Sequence, residues 1–180
     1  MSAHRPLPDL VELIGLFYSP AAKLGEFEEL IAEELPPPYR ELLAHNEHMT
    51  VTVEAFHGCP VDVQVLATNR GGDFYSRKIL LRRQSDQGVV QFGIPRLNFA
   101  YLSPEVRDEI EAQAKPLGRV LIDHNVLRWV QLTALWRVTP GPELYQLFNL
   151  SAPRITYGRT ALIYCDGEPA VELLEIVAPE

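Results

Sequence analysis

Phe74-Tyr75-Ser76-Arg77-Lys78-Ile79-Leu80-Leu81-Arg82-Arg83 is the stretch on which the fold turns. At a period of two, Tyr75, Arg77, Ile79 and Leu81 share one face, and Phe74, Ser76, Lys78, Leu80 and Arg82 share the other. The second set carries two charges and suits water, so the first faces the core and takes Arg77 with it. The same period extends outward from this strand. Upstream, Thr50, Thr52 and Glu54 alternate with Val51, Val53 and Ala55. Gly58 and Pro60 turn the chain into Val61, Val63 and Val65, and Asn69-Arg70-Gly71-Gly72 makes a further turn. Downstream, Ser85–Gly88 leads into Val89–Ile94. Short strands joined by tight turns pair antiparallel, because parallel neighbours need long crossovers.

The rest of the chain fills in around this meander. Leu10, Leu13, Ile14 and Phe17 recur at helical spacing. Ser19-Pro20 then reads as the start of a second helix, with Leu24, Phe27, Leu30 and Ile31 on its buried side and Glu26, Glu28, Glu29, Glu33 and Glu34 mostly in water. Pro36-Pro37-Pro38 stops it, and a short helix over residues 39–44 follows. Ser103-Pro104-Glu105 opens another helix with Val106 and Ile110 buried, and Val126–Val138 reads as a long strand. Pro142–Leu150 is a short helix. Ile155–Cys165 and Ala170–Ala178 form a closing hairpin around Asp166-Gly167. The expected architecture is α+β: one domain over residues 1–180, with a mostly helical lead-in over 1–45. The remainder is an antiparallel sheet of about six strands with inserted helices packed on one face.

Composition narrows the function. The 180 residues are 47% apolar and 22% charged, enough for one packed core. Sixteen Lys and Arg against twenty-four Asp and Glu leave a net charge of −8, which argues against a nucleic-acid partner. The longest uncharged stretches, Leu13–Ala22 and Leu144–Pro153, are half the length of a membrane-spanning helix. Met1–Asp9 lacks the basic start and apolar run of a secretory signal, so a cytoplasmic location is expected. Cys59 and Cys165 read as two reduced thiols. His45 and His48, with Glu47 or His57 nearby, lack a metal-binding signature, and no metal or cofactor is assigned.

Three charged residues fall on core-facing positions: Arg77, Arg159 (with Tyr157, Ala161 and Ile163) and Glu175 (with Val171, Leu173 and Val177). A lone buried charge is costly, so these groups must meet one another, water or a ligand. Two arginines and one carboxylate leave one positive charge over, which suits a small carboxylate gripped by a guanidinium. A structural Arg–Glu pair, or a slipped register that places the charges in solvent, is the alternative that spacing leaves open.

Leu42-Leu43 followed by His48-Met49-Thr50 resembles the opening of the sheet in chorismate lyases (chorismate–pyruvate lyases). Tyr75–Leu81 resembles their arginine-bearing strand, and Lys115-Pro116-Leu117-Gly118-Arg119-Val120-Leu121 their Pro-Leu-Gly loop. Gly158-Arg159-Thr160, Gly167-Glu168-Pro169 and Leu173–Pro179 resemble their closing hairpin. The pieces run in order from Leu42 to Pro179. The family often has a second arginine where this chain has Thr160. The resemblance implies a cofactor-free lyase that converts chorismate to 4-hydroxybenzoate and pyruvate, with Arg77 and Glu175 as its catalytic residues. It further implies that Arg77 holds a carboxylate, that the Met49 and Leu117 amides contact the ring acid, and that Glu175 hydrogen-bonds the ring hydroxyl. Arg159 joins them as a substrate-binding residue. Base-assisted and cyclic elimination both stay open, as does the oligomeric state. The alternative reading is a non-catalytic module of the same fold that binds a small aromatic acid as an effector.

Overall fold

The computed structural model describes residues 8–180, so the reading of Met1–Asp9 as lacking a signal lies, except for its last two residues, outside the described residues. Seven strands form one antiparallel sheet: β1 (Gly25–Leu30), β2 (Val61–Gly71), β3 (Phe74–Arg83), β4 (Val89–Asn98), β5 (Leu127–Pro140), β6 (Thr156–Cys165) and β7 (Glu168–Val177). Their order across the sheet is β1-β5-β6-β7-β4-β3-β2. β2, β3 and β4 form the meander read from the sequence, and the β6–β7 hairpin inserts its second strand beside β4. Six helices complete the domain: α1 (Leu10–Gly15), α2 (Tyr39–Leu43), α3 (Met49–His57), α4 (Pro104–Glu111), α5 (Leu117–Asp123) and α6 (Pro142–Leu147). The class is α+β, as expected. No helix among the described residues is long and apolar enough to cross a membrane.

Two expected elements change type. The second helix is instead β1, flanked by single 3-10 turns at Ala21–Lys23 and Ala32–Glu34. β5 is fourteen residues long and offers an outer edge, and pairing there outweighs the helical preference of Glu and Leu. Gly25 permits the approach: a Cβ there would lie 2.6 Å from the Thr139 carbonyl oxygen. Conversely, Met49–Ala55 is not a strand but most of α3. Its buried residues are Met49, Thr50 and Val53, a helical spacing, and Gly58 closes it in the left-handed conformation at φ +67°. The alternation of Thr and Val was coincidental.

Helices cover both faces, not one. On the face of Arg77, the front, Tyr75, Leu97, Ala161, Ile163, Val171 and Leu173 pack under α4 and α5. Ile79, Leu81, Leu135 and Val177 pack under α2 and α3 on the same side. On the back, Leu80, Phe92, Ile94, Leu174 and Ile176 pack with α1 and α6. Arg96 ties α1 to this face, holding Glu172 through both its Nε (2.6 Å) and Nη2 (2.9 Å) and Glu12 through Nη1 (2.6 Å). The open edges carry different guards. β1 bears Glu26, Glu28 and Glu29, and β2 is bulged between Val65 and Ala67, features that discourage edge-to-edge pairing.

Candidate functional site

The front face holds two half-cores, and the charged positions lie where they meet. Strand register puts Glu175 opposite Gly93 on one side and Arg159 on the other, with Ile79 beyond Gly93. Arg77 is two residues from Ile79 on β3 and therefore shares this face. All three charged side chains point inward: Arg77 and Arg159 are both 0% exposed and Glu175 is 7% exposed.

The two arginines differ in how their donors are used. Arg159 donates from Nε to Glu175 (2.8 Å), from Nη1 to the His45 carbonyl (2.9 Å) and from Nη2 to the Glu47 carbonyl (2.8 Å). It neutralises the buried carboxylate and staples the α2–α3 connection to the sheet. Among the described residues Arg77 has a single hydrogen bond, from Nη1 to the Ile110 carbonyl at the end of α4 (3.2 Å), and its Nε and Nη2 are buried without a partner. Burial pushes the Arg77 pKa below the ordinary arginine value, and Tyr75 beside it partly opposes the shift. The surplus positive charge foreseen from the sequence thus resides on Arg77.

Next to these residues a cavity of about 40 Å³ opens between the first turns of α3 and α5. Met49 and Leu117, both named by the resemblance, border it together with Glu175, His48, Thr50 and Gln91; Gly93 is part of its lining. Neither Arg77 nor Arg159 reaches its wall. A cavity that admits a benzene ring is roughly 150 Å³, so this one must widen to take an aromatic acid. His48 Nδ1 and Gln91 Oε1 are buried and unpartnered. Burial, with Arg119 and Arg159 adding to it, holds the His48 pKa down at about 4, so the ring is neutral at pH 7. Gly118 makes this packing possible, since a Cβ there would lie 2.7 Å from His48 Nδ1 and 3.1 Å from the Thr50 hydroxyl.

The sequence reading missed Gln91, although period two places it with Gly93 and Pro95 on the inward face and so marks it as a buried amide. It also missed the closure over Arg77 by Ile110, which no spacing rule reveals. Among the described residues no group of three or more His, Cys, Asp or Glu is arranged to hold a metal ion.

Neither a protein-family model nor a curated protein matches the sequence. Solved structures do match the fold. PhnF from Mycobacterium smegmatis superposes with a TM-score of 0.57 at 12% identity, over 73% of this chain and 64% of that one. This chain therefore spans slightly less than two thirds of PhnF. The separate effector domain of PhnF gives a TM-score of 0.56 at 13% identity, over 73% of this chain and 88% of that domain. The ligand-binding domain of a GntR-family transcriptional regulator from Bordetella bronchiseptica gives 0.51 at 14% identity, covering 65% and 85%. These domains share the chorismate lyase-like fold, and at such identities the likeness speaks for fold alone. The expectation of an enzyme is corrected to this extent: the folds that match are effector and ligand-binding domains of regulators, and none of them supports the lyase assignment. The chain has the single-domain α+β fold of GntR effector domains.

Proposed function

We propose that this domain is a non-catalytic module that binds a small organic anion, with Arg77 as the anion-holding group. The observation that carries this reading is the guanidinium itself, wholly buried with two donor atoms unpartnered. An unpaired buried charge is costly to keep, and a carboxylate or phosphate would take up those donors in charge-assisted hydrogen bonds. Glu175 stands differently: it is already committed to Arg159, which suits a shaping role at the cavity wall rather than proton transfer. Met49 and Leu117 contribute the first turns of α3 and α5 to the same wall, and Arg159 acts through Glu175 rather than on the ligand. The likeness to regulator effector domains supports binding without turnover.

The test is isothermal titration of the purified protein with 4-hydroxybenzoate, benzoate and inorganic phosphate, repeated on Arg77→Met. Saturable binding of at least one anion, lost in the variant, is the expected outcome. Equal binding by the variant removes Arg77 from the site. Release of pyruvate from chorismate at an enzymatic rate would overturn the non-catalytic reading.

A further inference from the structure

Arg77 is bonded to α4, which packs on its face of the sheet. Its only hydrogen-bond partner among the described residues is the Ile110 carbonyl, and the next residue, Glu111, forms an ion pair with Arg70 of β2. β2 places Thr68 opposite Arg77 and Arg70 opposite Tyr75, so Arg70 and Arg77 are diagonal neighbours on the front face, with Cα atoms roughly 7–8 Å apart. The Arg70 guanidinium lies over the rings of Tyr75 (5.3 Å) and Phe99 (5.6 Å), which hold it on this face of the sheet. The end of α4 therefore sets two consecutive acceptors, a carbonyl and a carboxylate, against two neighbouring cations. α4 has no basic residue in its own last turn, and Arg70 supplies that charge from the sheet.

We propose that the last turn of α4 is an internal stand-in for a doubly charged ligand: Ile110 and Glu111 occupy Arg77 and Arg70, and a small dianion displaces them and frees α4. This rests on Arg77 as the anion-holding group. An anion cannot reach a guanidinium with no exposed surface unless a neighbour moves, and the end of α4 is bonded to Arg77 through Ile110 and to Arg70 through Glu111. Two cations so placed favour a ligand with about two negative charges, as on a phosphate at neutral pH, over a monocarboxylate. Displacement converts binding at the sheet into movement of a surface helix, the kind of output a sensing domain requires.

The experiment compares the natural chain with Glu111→Gln and Arg70→Gln, using inorganic phosphate and 4-hydroxybenzoate as probes and amide hydrogen exchange across Pro104–Glu111 as the readout of α4. Glu111→Gln removes the internal competitor and is expected to bind phosphate about fivefold more tightly, the scale of one exposed ion pair. Arg70→Gln is expected to weaken phosphate by about tenfold while leaving 4-hydroxybenzoate within about twofold. Phosphate should accelerate exchange in α4 of the natural chain, and Glu111→Gln should show the faster exchange without phosphate. Unchanged α4 exchange on phosphate binding, or equal phosphate affinity in the natural chain and Glu111→Gln, overturns the inference. If 4-hydroxybenzoate binds through Arg77 and phosphate binds none of the three proteins, the inference falls and the anion site stands. If neither probe binds any of them, both fall.

Discussion

Arg77 and Arg159 are equally buried, and the structure assigns opposite signs to their removal. In Arg77→Met the unbranched stem is kept, so apolar packing changes little. The guanidinium now carries the desolvation of a buried ion and two unpartnered donor atoms, each costing about 1–3 kcal/mol. Against this stands one charge-assisted bond to the Ile110 carbonyl, worth about 1.5–3 kcal/mol; the carbonyl itself keeps the backbone N–H of Gln113 (3.1 Å). The balance is stabilising by about 1–3 kcal/mol, in line with replacements of buried ions by apolar residues. At this chain length the melting temperature should rise by about 2–4 °C per kcal/mol. Arg159→Met is the control. It leaves the Glu175 carboxylate and the His45 and Glu47 carbonyls without their donor, a loss of about 3–5 kcal/mol. Urea unfolding of both variants without ligand, followed by circular dichroism, measures the two values. Destabilisation of Arg77→Met by more than about 1 kcal/mol would refute the reasoning, because Arg77 would then be a satisfied structural residue.

Two further perturbations probe the cavity wall. The unfolded chain protonates its histidines near pH 6.5, whereas folded His48 resists protonation until about pH 4. Stability should therefore fall as pH drops from about 6.5 to 4, by at most about 3 kcal/mol and less to the extent that solvent screens the half-buried ring. Arg119, Arg159 and His45 oppose protonation of His48 and Glu47 favours it, so His48→Gln should flatten the profile; an unchanged difference between pH 7 and pH 4.5 would contradict the burial of this ring. Gly118→Ala should cost about 1–3 kcal/mol in denaturant unfolding, because the added methyl meets His48 and Thr50 across the α3–α5 contact. A variant as stable as the natural chain would show that the two helices part freely.

Which features were legible in the sequence follows from how each is held in place. The β2–β4 meander and the β6–β7 hairpin were readable because their registers are local, set by tight turns such as Gly72-Asp73 and Asp166-Gly167, although Asn69–Gly71, read as part of the first turn, ends β2 and pairs with Phe74–Ser76. β1 was not, because Glu26–Leu30 becomes a strand only where the far edge of β5 awaits it, more than a hundred residues along the chain. α3 was misread for a related reason: a Thr/Val alternation does not say whether a neighbouring strand exists to pair with.

The sequence by itself put Arg77, Arg159 and Glu175 each on the more apolar face of its strand, since side-chain alternation along a strand is a property of the backbone, and left open the register that turns that face inward. It also determined that one positive charge would be left over. Only the tertiary structure decided which arginine that is. Glu175 is directly opposite Arg159 and two strands from Arg77, and the loop carbonyls of His45 and Glu47 complete the shell of Arg159 alone. Pairing of buried charges depends on distances across strands, and those exist only once the sheet has formed.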